Sequence, residues 1–131
     1  MEITVTIQPA TEPIAIMRLQ GSIDASNFVQ VVDKAREIYQ NPARHLILDL
    51  SGVPSITSTG LAAIHQIALM FSGLPDKMKH PDLTHSSTAR KHVKLLNPQP
   101  DVDKALETAG LKLFFKVFHD LDSALKSFQP S

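Results

Sequence analysis

The sequence predicts an α/β fold, in which a small and mostly parallel β-sheet is flanked by about four helices. Short apolar segments with the spacing of strands alternate along the chain with longer segments that carry the 3.6-residue spacing of helices. The order is β-β-α-β-α-β-α-β-α, and strand-helix alternation is typical of parallel sheets with helices packed on them. A length of 131 residues predicts one domain, residues 1–131.

The opening strands are expected to form an antiparallel β-hairpin. Residues 2–8, EITVTIQ, alternate apolar and polar side chains, as a half-buried strand does. Residues 14–20, IAIMRLQ, predict the second strand, and Pro9 and Pro13 flank the short turn between them.

The first helix is predicted between the Asp24 region and the helix-breaking pair Asn41-Pro42. Either Asp24 or Ser26 is expected to cap its first turn. One apolar stripe marks its inner face: Phe28, Val31, Val32, Ala35 and Tyr39. Residues 45–50 follow with an apolar run that does not alternate, which predicts a strand covered on both faces.

The second half continues the alternation with three more helices. A second stripe consists of Leu61, Ile64, Ile67, Ala68 and Phe71. Residues 93–96 predict a short strand, and the next helix, which contains Val102, Ala105, Leu106 and Ala109, is expected to end at Gly110 in a left-handed cap. Residues 114–118 predict the last strand, before a closing helix over 120–128 with Leu121, Ala124, Leu125 and Phe128 facing inward.

The stretch at about 72–92 lacks this periodicity and predicts an inserted, exposed loop. It contains His80, His85 and His92, and three imidazoles could bind zinc. Their spacing matches no compact ligand pattern. We therefore expect solvated histidines and no metal site.

Composition excludes several classes of function. Lys and Arg together number 13 and so do Asp and Glu, so no global field attracts nucleic acid or an anionic membrane surface. The absence of cysteine excludes disulfides and thiolate chemistry. No signal peptide is recognisable, and no apolar run reaches the roughly 20 residues of a membrane span. These features predict a soluble cytoplasmic protein without membrane insertion.

No motif predicts an enzyme or a cofactor. The glycine-rich phosphate loops and the G-x-S-x-G elbow are missing. Asp49 lies near the end of the third strand, where ligands of parallel sheets collect, but capping of the following turn is the preferred role. His65 is expected at the edge of the core.

Three consecutive hydroxyls, Thr57, Ser58 and Thr59, precede the second helix. One of them is expected to cap the free N–H groups of the first turn. A phosphate on another would meet the positive end of the helix and would add a charge of about −1.5 to −2. The cluster therefore predicts either a plain cap or a phosphorylation switch.

The segment HLILDLSGVPSITSTGLAAI resembles the signature of STAS domains, the family of bacterial anti-sigma factor antagonists. The residues that match in register are Asp49, Leu50, Ser51, Val53, Ile56, Ser58, Gly60 and Leu61. LQGSID (19–24) is similar to the family's second-strand end, and residues 94–125 are similar to its C-terminal half. The resemblance covers nearly all of the chain outside 72–92.

The resemblance implies a STAS fold and a partner-switching role. A family member of this type binds an anti-sigma factor with serine/threonine kinase activity, which inactivates it by phosphorylation, and a phosphatase reverses the modification. The modified hydroxyl would be Thr59, with Ser58 as the second choice. The implied partner-binding residues are Asp24, Thr57, Ser58, Thr59, Gly60 and Leu61. The sequence departs from the family pattern at Thr57, which replaces the usual Asp, and at Thr59, which replaces the more common Ser.

The resemblance also leaves an alternative open. STAS domains occur as subunits or sensor modules of transporters, lipid-trafficking systems and signalling complexes. A stand-alone subunit of that kind would not be phosphorylated.

Overall fold

The structure is a computed structural model and describes residues 1–9, 13–40, 45–71, 92–113 and 115–128. The predicted loop, apart from His92, lies outside these residues. His80 and His85 and the tip of the predicted hairpin turn lie outside them as well.

The described residues form five strands and four helices in the predicted order. The strands are β1 (Glu2–Gln8), β2 (Ile14–Gln20), β3 (His45–Gly52), β4 (Val93–Leu96) and β5 (Lys116–Phe118). The helices are α1 (Phe28–Gln40), α2 (Ser58–Phe71), α3 (Pro100–Thr108) and α4 (Leu121–Lys126). A short 3-10 turn, Leu111–Leu113, precedes β5, which is therefore shorter than predicted.

The strands lie in the sheet in the order β1-β2-β3-β4-β5, the same as their order along the chain. β1 is antiparallel to β2, and all other neighbours are parallel, so the mixed and mostly parallel sheet is confirmed. The register aligns one apolar row across the sheet: Val5, Met17, Leu48, Leu95 and Val117.

One face of the sheet packs against α1, α2 and α3 and forms the main core. The helix face of α1 is rotated slightly from the prediction, since Ile38 is buried and Tyr39 is only half-buried. Tyr39 instead packs edge-to-face on Phe71 of α2, with ring centroids 5.1 Å apart.

The opposite face carries a smaller core beneath α4, made of Ile14, Ile47, Leu96 and Ala124. The prediction that Leu121 faces inward is wrong, because this side chain is 38% exposed. Leu125 and Phe128 are half-buried against the small core, as predicted. A helix of six residues can turn few side chains toward the sheet, and in α4 only Ala124 is fully buried.

His92 is half-buried beside this smaller core. Its ring stacks on buried His45, with centroids 5.1 Å apart, and the two Nδ1 atoms are 3.3 Å apart. Phe128 covers the His45 ring with its centroid at 4.5 Å. The prediction of a solvated His92 is therefore wrong.

The ends of the later helices follow their local sequence. Gly110, which follows the C-cap residue Ala109 of α3, has φ 77°, in the left-handed region, as predicted. Asp120 caps α4, because its carboxylate accepts the N–H of Ser123 at 2.8 Å. That bond and the Ser123 hydroxyl lower the pKa of Asp120. Within the described ranges, no helix has both the length and the apolar character that a membrane span requires.

We expect Leu48→Ala to lower the free energy of unfolding by about 2–5 kcal/mol, because Leu48 lies fully buried on the central strand β3. Urea denaturation followed by circular dichroism measures the change. Val29→Ala is the control, since Val29 is 65% exposed and its truncation should change stability by less than about 0.5 kcal/mol. Equal losses in the two variants would contradict the assigned core.

Candidate functional site

The candidate site lies where β2 and β3 end at the same edge of the sheet. The two following loops continue side by side, so that Ile23 and Ile56 form one further parallel bridge. The N–H of Gly21 donates to the carbonyl of Gly52 at 2.9 Å, and the N–H of Ile23 donates to Ser55 at 3.2 Å. These bonds fix both loops to the sheet.

The carbonyl of Ile23 also positions the start of α2. It accepts the N–H of Thr57 at 3.0 Å. The Thr57 hydroxyl oxygen in turn accepts the N–H of Gly60 at 3.2 Å, which is the bond of a helix cap. The predicted capping role of the hydroxyl cluster is therefore confirmed for Thr57.

Gly60 lets the helix approach this loop closely. A Cβ atom at position 60 would lie 2.4 Å from the carbonyl oxygen of Ile23 and 2.7 Å from Cγ1 of Ile56. Both distances are too short for non-bonded atoms, and the nearer one involves backbone. The residue is buried, so glycine is required here for space.

Ser58 and Thr59 occupy the first turn of α2 with exposed side chains. Among the described residues, neither side chain has a hydrogen-bond partner. The first turn contains no acidic residue, so the positive end of the helix is not neutralised by its own side chains. Leu61, next along the helix, is half-buried and packs against the main core.

Asp24 follows Ile23 directly and is half-buried. Its Oδ1 accepts the N–H of Ser26 at 2.9 Å and the Ser26 hydroxyl at 2.5 Å. The Ser26 hydroxyl is the larger cause and its N–H the next, and together they lower the pKa of Asp24. The site therefore includes one carboxylate that stays ionised at neutral pH.

Asp24 and Ser26 do not cap α1 as predicted, because the Asp24 carboxylate accepts the N–H and the hydroxyl of Ser26 within the loop that precedes the helix. Asn27 immediately precedes the helix. Its Oδ1 accepts the N–H of Asp24 at 3.0 Å, and its Nδ2 donates to the carbonyl of Ser22 at 2.9 Å. The Ser22 hydroxyl reaches the Ser55 hydroxyl at 2.7 Å, which ties this loop to the one before α2.

The structure thus brings the Asp24 loop against the start of α2 through Ile23. Sequence reasoning missed Ile23, because its role rests on backbone atoms. It also missed Ser26 as the partner of Asp24, although the D-x-S spacing was a usable signal. The same spacing recurs at Asp49 and Ser51, where Oδ1 accepts the Ser51 N–H at 3.0 Å and its hydroxyl at 2.7 Å.

The two hydrogen bonds from Ser51 to Asp49 confirm the predicted role of Asp49 in capping the turn after β3. His65 is half-buried on α2, as predicted for the edge of the core. Within the ranges that the structure describes, no group of three or more side chains has the arrangement of a metal site.

A family model described as the STAS domain matches residues 4–72. The chain belongs to the STAS family. The match begins within β1 and extends past the end of α2, and it therefore includes both loops of the candidate site. Comparison with curated protein sequences gave no match.

Solved structures share the fold of this STAS domain. TM1081 of Thermotoga maritima, a candidate anti-sigma factor antagonist, has a TM-score of 0.72 at 17% identity, over 96% of this chain and 95% of its own. The anti-sigma factor antagonist SpoIIAA in its unphosphorylated form has a TM-score of 0.66 at 18% identity, over 94% of each chain. An anti-sigma factor antagonist of Mycobacterium paratuberculosis has a TM-score of 0.70 at 17% identity, over 98% of this chain and 96% of its own. At these identities the likeness shows the fold.

We expect Gly60→Ala to destabilise the protein by about 1–3 kcal/mol, because the added methyl collides with the Ile23 carbonyl. On an open helix surface the same change would stabilise by up to about 1 kcal/mol. Thermal and urea unfolding measure whether the free energy of unfolding falls or rises in the variant. Ser58→Ala, in the same turn but exposed, serves as the control and should be nearly neutral. A more stable Gly60→Ala variant would show that α2 does not sit this close to the loop.

We expect Ser26→Ala to raise the pKa of Asp24 toward its ordinary value of 3.8, because the main hydrogen bond that lowers it is lost. In the native protein the folded pKa lies below the unfolded one. The stability that Asp24 contributes is therefore complete above the unfolded pKa and is lost as the pH falls through the folded pKa.

An NMR titration of the side-chain carboxyl carbons measures this pKa. Ser123→Ala is the matched control, since it should raise the pKa of Asp120 and leave that of Asp24 unchanged. If the pKa of Asp24 does not move in Ser26→Ala, the hydrogen bond to its hydroxyl is not formed in solution.

Proposed function

We propose that this STAS domain is an anti-sigma factor antagonist, which binds an anti-sigma factor and is inactivated by phosphorylation of Thr59. The binding surface is formed by the Asp24 loop and the start of α2, that is, by Asp24, Thr57, Ser58, Thr59, Gly60 and Leu61. Ser58 is the second choice for the modified residue.

The exposed hydroxyl of Thr59, on a helix end that is fixed to the sheet, carries this proposal. Thr57 already serves as the cap, so Thr59 is not needed to hold the helix. Gly60 is packed against Ile23 and holds the turn in place. A kinase can therefore reach Thr59 without unfolding, and its modification leaves the packing unchanged.

The electrostatics of the site make such a modification a strong signal. A phosphate adds a charge of about −1.5 to −2 at one point of the surface. The N–H groups of the first turn stabilise it locally. Asp24 contributes a second negative charge on the neighbouring loop. A docking partner that accepts the uncharged hydroxyl would then meet like charge and an added desolvation cost.

The comparisons support the proposal by analogy of fold. SpoIIAA has also been solved as the Bacillus cell fate determinant in its phosphorylated form, with a TM-score of 0.62 at 16% identity over 96% of this chain and 100% of its own. A protein of this architecture thus exists in both states.

The remaining parts of the proposal follow from that role. The partner is an anti-sigma factor with serine/threonine kinase activity, and a phosphatase restores the free hydroxyl. The chain acts in the bacterial cytoplasm as one domain and as a binding protein rather than an enzyme.

We expect Thr59→Glu to weaken binding to the cognate anti-sigma factor at least about tenfold, which corresponds to about 1.4 kcal/mol. Isothermal titration calorimetry measures the affinity. Thr59→Val is the matched control, because it removes the hydroxyl without adding charge and should keep most of the affinity. The circular dichroism spectrum and the melting temperature of both variants should remain native, since the side chain is exposed.

Tight binding by Thr59→Glu would refute the switch. Ser58→Glu tests the second choice in the same assay. Purification of the protein from its own cells tests the partner: recovery of a soluble kinase supports the proposal. Recovery of a transporter complex, with Thr59 unmodified by mass spectrometry, would favour a transporter or lipid-trafficking subunit instead.

A further inference from the structure

Within the ranges that the structure describes, no strand lies along the outer edge of β1. β1 is the first strand of the sheet, and among the described residues only β2 pairs with it. It is seven residues long and contains neither proline nor lysine, which proteins commonly use to block such edges. Its unpaired backbone groups can therefore accept another strand.

A projecting side chain and a groove lie on the same side of this edge. Ile3 and Val5 pack against the main core, and the two-residue period of a strand puts Ile7 on the same side of the sheet, where it is 51% exposed. Beside Ile3, a groove opens between β1 and α1. Ile3, Gln30, Asp33, Lys34 and Glu37 line it. An apolar side chain from an added strand would enter this groove.

The sequence of β1 is complementary to itself in one antiparallel register. A two-fold axis at Val5 places Ile7 of one copy opposite Ile3 of the other, and therefore in its groove. The same axis places Thr4 opposite Thr6 and Glu2 opposite Gln8. Each is a favourable or neutral cross-strand pair, whereas in-register parallel pairing would set Glu2 beside Glu2.

The charges near the groove are compatible with this arrangement. Glu37 is paired with Lys34 at 3.5 Å, and Asp33 is paired with Arg36 at 2.6 Å, both on α1. The carboxylates that line the groove are therefore already compensated. When two copies pair along β1, the carboxylates of Asp33 and Glu37 in each copy already have a basic side chain beside them.

We infer that β1 is a self-association surface, on which a second copy of this chain pairs antiparallel to form a continuous ten-stranded sheet. A single strand pair buries less area than a permanent interface, so the dimer is weak and depends on concentration. It shares no residue with the proposed partner site, and Ile7 lies opposite Ala15 near the start of β2, while Ile3 and its groove lie opposite Leu19, toward the same end of β2 as that site.

Sedimentation equilibrium between roughly 1 µM and 1 mM, the range of weak complexes, tests the inference. The native protein should convert from monomer to dimer within this range. Ile7→Glu should raise the dissociation constant at least about tenfold, because it sets a carboxylate beside Asp33 and Glu37 of the groove twice per dimer. Leu121→Glu is the matched control: it makes the same kind of exchange on α4, away from β1, and should leave the dissociation constant unchanged.

A cross-linking experiment tests the register. The chain has no cysteine, so single cysteines report one position each. The two-fold axis sets residue 5 opposite its own copy, and mild oxidation should therefore link Val5→Cys into dimers. Thr4→Cys, whose copies lie diagonally at about 7–8 Å, should link much less.

A native protein that stays monomeric throughout this range would overturn the inference, as would equal dissociation constants for Ile7→Glu and the native chain. Equal cross-linking of Val5→Cys and Thr4→Cys would overturn the register. Circular dichroism of each variant establishes that it is folded. None of these outcomes depends on an anti-sigma factor, so the result is separate from the test of Thr59.

Discussion

The backbone of Ile23 is the constraint on which the candidate site depends. Its N–H donates to Ser55 and its carbonyl accepts from Thr57, so one residue joins the loop after β2 to the loop after β3. Gly60 then packs against the same carbonyl. Because buried backbone groups must be paired, these bonds resist displacement. They bring Asp24 beside the start of α2 and fix the direction of the helix.

A site built this way acts through its surface rather than through rearrangement. Thr57 caps the helix and Gly60 provides the close packing. Among the described residues, the side chains of Ser58 and Thr59 make no hydrogen bond that holds the site together. Chemistry on either hydroxyl changes charge and shape while the scaffold holds. A second tie strengthens the scaffold, since the Gln99 side chain donates to the carbonyl of Ser51 at 2.8 Å and joins the end of β4 to the end of β3.

The sequence was sufficient to predict the pattern of strands and helices, because the spacing of apolar residues along the chain reflects which side chains are buried. The order of elements, the cap at Thr57, the turn at Asp49 and the left-handed Gly110 all follow from local chemistry. Predictions were wrong where contacts between residues far apart in the sequence determine how exposed a side chain is. His92 is covered because it meets His45, 47 residues away.

Other errors have similar causes. Tyr39 packs on the main core as predicted but is only half-buried, and its ring meets Phe71 edge-to-face. Leu121 is exposed because so short a helix can bury little more than Ala124. The role of Ile23 had no sequence signal, since any residue carries the same backbone groups. The placement of Asp24 beside the hydroxyl cluster came from the family resemblance, and periodicity alone would not have indicated it.

The identity between strand order and chain order has a consequence for biosynthesis. Each strand pairs with its immediate predecessor, so the sheet extends in one direction as the polypeptide leaves the ribosome. None of the five described strands is inserted between two strands that precede it in the chain. All the residues that join the two loops of the candidate site, from Gly21 to Gly60, are therefore synthesised before β4 and β5.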